Sequence, residues 1–208
     1  MKNPGLFIVF ESPPKCGKTT LAIELVKLLR NNSKQIIRHK RGALSNSPFS
    51  SEVKSKEITD LGYSTAFYWA DCIFDTSDSI LPSIARGETV VQERYDLSIT
   101  TFREIHNLNA DSLLLDEYLR RNLLINPHLT IILQANPDII LKRIKDNSNS
   151  TEIDHLFFNK PDLISTMQER LIYHVTRLHR NYLMLDTEKN SINECLSIIS
   201  QVIPIQRS

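Results

Sequence analysis

The sequence predicts an α/β domain of three layers, in which a five-stranded parallel sheet is covered by helices on both faces, with a short lid. Three observations lead there. Short continuous apolar runs of strand length alternate along the chain with segments long enough for a helix, the pattern of a parallel sheet buried on both sides. The first run is followed at once by a loop bearing glycine and lysine that opens into a helical pattern. The chain has 208 residues, enough for one full-sized core and too few for two ordinary domains with a linker, so residues 1–208 are expected to form a single domain.

The elements follow in chain order. "LFIVFE", Leu6 to Glu11, is a compact apolar run and reads as the first strand. "KTTLAIELVKLLRNN" carries Leu21, Leu25, Leu28 and Leu29 at helical spacing. "KQIIRH" reads as the second strand, and the stretch Gly42 to Gly62 as broken short helices. In "FYWADCIF", helical spacing puts Tyr68, Asp71 and Cys72 on one face and Phe67, Ala70 and Phe74 on another. One face is expected to be core and the other to meet a ligand, with Trp69 packing material in that helix. Gly87 ends the helical pattern, and "TVVQER" is the third strand, "LTIILQA" the fourth and "YLML" the fifth. Between the last two strands "NSNSTE" is polar and turn-rich, so Asp146 to Asp154 reads as a mobile lid, with the lid region extending over residues 146–158.

The loop after the first strand carries the chemistry. A phosphate loop needs a strand that ends at it, a helix that starts from it and successive backbone N–H groups facing one concavity. "FESPPKCGKTT" fits G-x-x-x-x-G-K-[ST] with Ser12 in place of the first glycine, then Pro13, Pro14, Lys15 and Cys16, then Gly17, Lys18 and Thr19. Pro13 and Pro14 cannot donate hydrogen bonds, but the donors that face phosphate come from the later half of such a loop, from about Lys15 to Thr19. Lys18 brings a charge to the β- and γ-phosphates, and the Thr19 hydroxyl suits Mg²⁺. The third strand ends in Glu93 and Arg94, at the sheet edge where open α/β folds bind ligands. An arginine there either forks a phosphate or completes an ion pair with its neighbour, and the residues alone leave both open.

Composition excludes other classes. With 41% hydrophobic residues and a formal net charge of +1, the chain is neither disordered nor in need of a nucleic-acid partner. Cys16, Cys72 and Cys195 are odd in number and widely spaced, which suits a reducing cytoplasm better than a disulfide framework. No apolar run reaches membrane-spanning length and no signal-like pattern precedes the first strand, so neither a membrane nor a targeting segment is expected. The six histidines have no metal-ligand spacing.

Taken together, "FESPPKCGKTT", "YWADC", "IARGETVVQ", "ERYDLS", "NPHLTIILQANPDIILKRI" and the closing "YLMLDTEKNSINECLSII" resemble, in order and over nearly the whole chain, the thymidylate kinase family of P-loop nucleoside monophosphate kinases. The resemblance implies the P-loop NTPase fold and transfer of the ATP γ-phosphoryl group, with Mg²⁺, to the 5′-phosphate of a deoxynucleoside monophosphate, in a homodimer. It implies that Ser12, Lys15, Cys16, Gly17, Lys18, Thr19 and Thr20 hold the donor and that Thr19 and Glu93 hold the metal. Catalysis falls to Lys18, Lys15, Arg94 and Arg143, with Arg143 in the lid region. Acceptor binding falls to Tyr68, Asp71, Cys72, Glu93, Arg94, Ser98, Thr101 and Arg41. The family's loop aspartate is Pro14 here and the arginine of its A-D-R pattern is Cys72, which implies weaker choice of thymine. Glu93 in place of aspartate resembles deoxynucleoside kinases, although the Glu-Pro of that group has no counterpart in "RHKRGALSNSPF". A nucleotide-binding regulatory protein with weak transfer is the third reading.

Overall fold

In the computed structural model, residues 5–32, 35–42, 61–105, 111–148 and 151–203 are described, so most of the stretch Gly42 to Gly62 lies outside them. Five strands, β1 (Phe7–Glu11), β2 (Ile37–Lys40), β3 (Thr89–Glu93), β4 (Leu129–Gln134) and β5 (Tyr182–Asp186), form one sheet in the order β2-β3-β1-β4-β5. Every pairing is parallel. β1 is central and buried at all five positions, which is why its sequence is a continuous apolar run and not an alternation. The second strand starts later than the sequence suggests: Ile36 is exposed and Ile37 is the first residue paired to β3.

Helices cover both faces. The loop after β1 runs into α1 (Lys18–Asn32), which buries Leu21, Ala22, Leu25, Val26 and Leu29. α2 (Leu61–Asp75) continues through a π-helical turn, Thr76–Ile80, into α3 (Leu81–Ala85), and Gly87 follows at φ 81° before β3. After β3 come α4 (Asp96–Glu104) and α5 (Asp111–Arg120), and after β4 come α6 (Pro137–Lys145), α7 (Glu152–Asn159) and α8 (Asp162–Arg177), with α9 (Ile192–Val202) last. Trp69 packs edge-on against Tyr118 of α5 at 5.3 Å and is buried, as its expected packing role requires. Among the described residues no helix is long and apolar enough to cross a membrane.

The order of the strands positions the site. β1 lies between β3 and β4, so the loops leaving β1 and β3 open side by side at the carboxyl edge, the crevice where ligands sit in such sheets. A fully buried ion pair holds the start of α4 there. Arg180 Nη1 and Nη2 donate to the two Asp96 carboxylate oxygens at 2.9 and 2.5 Å, and Arg180 Nε donates to Asn126 Oδ1 at 2.9 Å.

Candidate functional site

The phosphate loop spans residues 12–17 between β1 and α1. Gly17 sits at φ 80°, a conformation that side chains disfavour, which explains a glycine before Lys18. Ser12 is fully buried and its hydroxyl turns onto the Pro13 carbonyl at 2.8 Å, so a serine replaces the first glycine with its own oxygen satisfied locally. Four described residues other than glycine have positive φ. Asn122 and His179 follow the ends of α5 and α8, where left-handed caps are common. Lys15 (φ 58°) and Arg94 (φ 62°) are the other two, and both line the crevice, as expected where backbone strain serves a site.

Two cavities meet at that crevice. One, about 330 Å³, is lined by Lys15, Gly17, Lys18, Thr19 and Thr20 of the loop together with Thr151 and Asp154. The other, about 310 Å³, is walled by Thr65 and Tyr68 of α2, Ile99 and Phe102 of α4, and Phe157 and Met167. Pro14 and Arg94 line both. Arg94 Nη1 donates to the Ser12 carbonyl at 3.2 Å and to Ser98 Oγ at 3.4 Å, so the residue after β3 is tied to the phosphate loop itself.

Buried carboxylates organise this junction. Glu11, fully buried at the end of β1, accepts from Tyr95 N at 2.9 Å and from the hydroxyl of Ser98. Burial raises its carboxyl above the usual range, while the Ser98 hydrogen bond acts the other way. Glu93 accepts from Thr19 Oγ1 at 2.5 Å and lies 3.0 Å from His39 Nε2, which links α1, β3 and β2. The Lys18 ammonium is brought down to about 7, first by burial and then by the neighbouring Arg94 guanidinium.

That shift has a measurable consequence. A bound phosphate favours the charged amine, so binding is fully supported below about pH 7 and weakens as the pH rises through the value of the free protein. Above it, binding of a polyphosphate must take up a proton. Calorimetry in buffers of different ionisation heat is expected to show uptake approaching about one proton at about pH 8.5 and little at about pH 6. A Lys18→Met variant should show none of this pH-dependent uptake.

Several residues singled out in the sequence stand elsewhere. Cys72 is in the hydrophobic core and Asp71 is buried, and neither is among the described side chains that wall the apolar cavity. Burial drives the Cys72 thiol well above its usual range, with Asp96 and Asp71 adding to it. Thr101 is fully buried on α4, and Ile99 and Phe102 of that helix face the cavity in its place. Glu93 meets Thr19 on the phosphate side and is not part of the apolar wall. Arg41 is exposed at the end of β2, while Lys40 is held by Asp75 at 2.6 Å and Ser79 at 2.8 Å. Arg143 stands on the last turn of α6, where Nη1 donates to the Lys15 carbonyl at 3.1 Å and Nη2 to that of Thr187 at 3.2 Å, so it braces the loop. Cys16 is buried with its thiol pushed up to about 12, an unreactive filler.

The segment expected as a polar lid contains more order than its composition suggests. Thr151 and Asp154 form a capping box that starts α7, Asp154 is buried, and Phe157 is fully buried in the apolar cavity. The run "HLFF" was the available signal, since apolar residues after a polar turn need a surface to cover. Glu11 also had one: a carboxylate closing an all-apolar strand must be buried and therefore hydrogen-bonded. His39, Asp96 and Arg180 gave none, because their partners lie far away in sequence.

A model of the family described as Thymidylate kinase matches residues 10–199. The chain is similar to the thymidylate kinase of Clostridium novyi (strain NT), 27% identical over 178 residues that cover 80% of this chain and 83% of the relative. It is also similar to the probable thymidylate kinase of Archaeoglobus fulgidus, 26% identical over 152 residues, 73% of this chain and 75% of the relative. Among solved structures, the thymidylate kinase from Ehrlichia chaffeensis superposes with a TM-score of 0.68 at 18% identity, covering 96% of this chain and 98% of that one. At that identity the likeness establishes the fold, a five-stranded parallel sheet of P-loop type flanked by helices.

Proposed function

Since the chain belongs to the thymidylate kinase family and is thereby an ATP-dependent nucleotide kinase, we propose that its two adjoining cavities hold the phosphoryl donor and a pyrimidine deoxynucleoside monophosphate. The observation that carries this division is the shared rim: Pro14 and Arg94 line both cavities, so an acceptor phosphate held by Arg94 lies against the phosphate loop. Chemistry of this kind requires chiefly positioning and positive charge around the transferred group. Lys18 and the loop amides hold the β- and γ-phosphates, Arg94 takes the acceptor phosphate, and Tyr68 and Phe102 flank the base.

The residues present suit a divalent ion. The Thr19 hydroxyl and the Glu93 carboxylate are hard oxygen donors already within 2.5 Å of each other, and Mg²⁺ binds through one or two such groups with phosphate and water completing its shell. Held there, the ion would supply positive charge against the negative charge that develops during phosphoryl transfer. Thr19 and Glu93 are the residues that would hold it.

A relaxed choice of pyrimidine is part of the proposal. Among the described residues, Arg94 is the charged member of the apolar wall, and Pro14 offers no carboxylate. A pocket with few polar groups that demand a partner discriminates weakly. ADP release from Mg-ATP, measured with dTMP, dUMP, dCMP, UMP and free thymidine, tests both points. Turnover of the monophosphates with modest spread is expected. Turnover of thymidine alone would restore the nucleoside kinase reading, and tight ATP binding without acceptor-dependent turnover the regulatory one. Neither alternative is favoured by the family match.

Arg94→Lys is expected to raise the acceptor KM or lower kcat by about tenfold, because the charge is kept but the planar fork is lost. ATP affinity, measured by calorimetry, should hardly change. An equal loss of ATP affinity would make Arg94 a brace for the loop through Ser12 instead.

The proposal extends to a cytoplasmic homodimer. Exposed Phe74 and Leu81 along the α2–α3 stretch and Leu113 on α5 offer apolar surface to a second copy. The three cysteines are all buried free thiols, in keeping with a reducing compartment.

A further inference from the structure

We propose that Asp154 is a positioning residue for phosphoryl transfer: its carboxylate steers the Lys15 ammonium over the phosphate cavity, so that the helix covering the site supplies an anion and the loop supplies the cation. The inference rests on the kinase reading above.

The geometry begins with a carboxylate in an unexpected place. Asp154 lines the same cavity as Lys15, Lys18 and Thr19, and its side chain is only 3% exposed. A nearly buried acid beside a polyphosphate repels it unless a cation stands between them. Lys15 is placed to do this. Its ammonium lies 3.2 Å from Asp154 Oδ2, and its side chain is still 26% exposed, so it is held without being sealed off. An ammonium has three donors, and one given to Asp154 leaves two for phosphate oxygens.

Both ends of Lys15 are restrained. Its main chain is in the left-handed region at φ 58°, and its carbonyl accepts from Arg143 Nη1 at 3.1 Å. Its ammonium is held by Asp154, whose carboxylate is itself fixed: Oδ2 accepts from Thr151 N at 2.9 Å, and Asp154 N donates to Thr151 Oγ1 at 3.2 Å. A lysine is otherwise a flexible point charge with much rotamer freedom to lose on engaging a ligand. Holding it in advance lowers that cost. The other cations at the loop have different work. Arg143 braces the Lys15 and Thr187 carbonyls, and Arg94 sits at the junction with the apolar cavity.

The same helix reaches the acceptor side. Phe157, three residues after Asp154 on α7, lines the apolar cavity. One turn of α7 therefore closes on both cavities at once, and the ion pair registers that turn against the loop.

Asp154→Asn is the discriminating variant, because an asparagine oxygen can still accept from Thr151 N and keep the cap while the charge is lost. The expected result is a fall in kcat of about 10- to 100-fold with Mg-ATP and dTMP, the scale of a misplaced catalytic group, with ATP affinity changed by less than about threefold. Asp154→Glu should recover part of the loss. In the double variant with Lys15→Met the effects should not add, since the two residues act as one unit. Unchanged kcat in Asp154→Asn would overturn the proposal, as would tighter ATP binding with kcat maintained, the signature of a clasp that merely obstructs the donor. A second readout needs no turnover. With a Mg-bound, non-hydrolysable ATP analogue, the ¹⁵N ammonium signal of Lys15, identified by its absence from Lys15→Met, should be protected in the wild type and lost in Asp154→Asn. Persistence of that signal would refute the positioning role even if no monophosphate were ever phosphorylated, which separates its failure from failure of the kinase reading.

Discussion

Lys18→Ala is expected to lower turnover by about 100-fold or more and to leave the fold intact, the scale observed when one group aimed at transition-state charge is removed. Lys18 opens α1 at the end of the loop and lines the phosphate cavity, and it is half-buried beside Arg94. Its ammonium is destabilised in the free protein, since burial and Arg94 bring it down to about 7. Removing such an amine takes away no core contact and relieves an unfavourable charge. Stability should therefore hold or rise slightly, while the β- and γ-phosphates lose a point charge in a site partly shielded from water. Steady-state ADP release and circular dichroism on the same preparation check both halves. Near-wild-type turnover with an unchanged spectrum would exclude a phosphoryl-transfer role for the loop.

The opposite profile is expected at Arg180→Ala, where stability is lost. Arg180 and Asp96 form a bidentate pair with side chains 1% and 0% exposed. Removing one member leaves a buried, uncompensated carboxylate, which costs about 3–5 kcal/mol. For a chain of this size that corresponds to a fall in melting temperature of about 10 °C. Asp96 also accepts from Leu97 N at 2.8 Å at the first turn of α4, directly after Arg94 and Tyr95. The damage should therefore spread to the acceptor side, and acceptor KM should rise before ATP affinity does. Replacing both partners by apolar residues of similar volume should cost less than the single change, because no charge is then stranded. A single variant that loses less than about 1 kcal/mol in urea denaturation would mean that water reaches the pair and that its burial does not govern its energetics.

The limits of the sequence reading are clearest at particular residues. Lys18, Thr19 and Gly17 were legible because their arrangement is local: a strand, a tight turn and a helix start within a dozen residues dictate where each side chain goes. Arg94 was legible as the residue at a strand's carboxyl end, but not as one that lines two cavities and ties to Ser12. Helical spacing put Tyr68 on a face that lines the apolar cavity, yet it carried Cys72 along on the same face. One turn further on, that face meets the core, where Cys72 is fully enclosed and its carbonyl accepts from Thr76 Oγ1 at 2.7 Å. In α4 a similar displacement exchanged Thr101 for Ile99 and Phe102. Periodicity tells which residues share a helix face, but not how far along that face the cavity extends.

By itself the sequence determined the alternation of strands and helices, the parallel sheet, the phosphate loop and its cations, and the order of blocks that marks the family. These are properties of short segments, set by backbone geometry, apolar periodicity and the chemistry of adjacent residues. Only the tertiary structure decided which distant groups meet: Glu11 with Ser98, His39 with Glu93, Asp96 with Arg180 and Lys15 with Asp154. Each of these contacts joins two elements whose approach depends on strand order and helix packing over the whole core. A charged or polar side chain in such a core is stable only with a partner, and the fold, not the spacing along the chain, selects that partner.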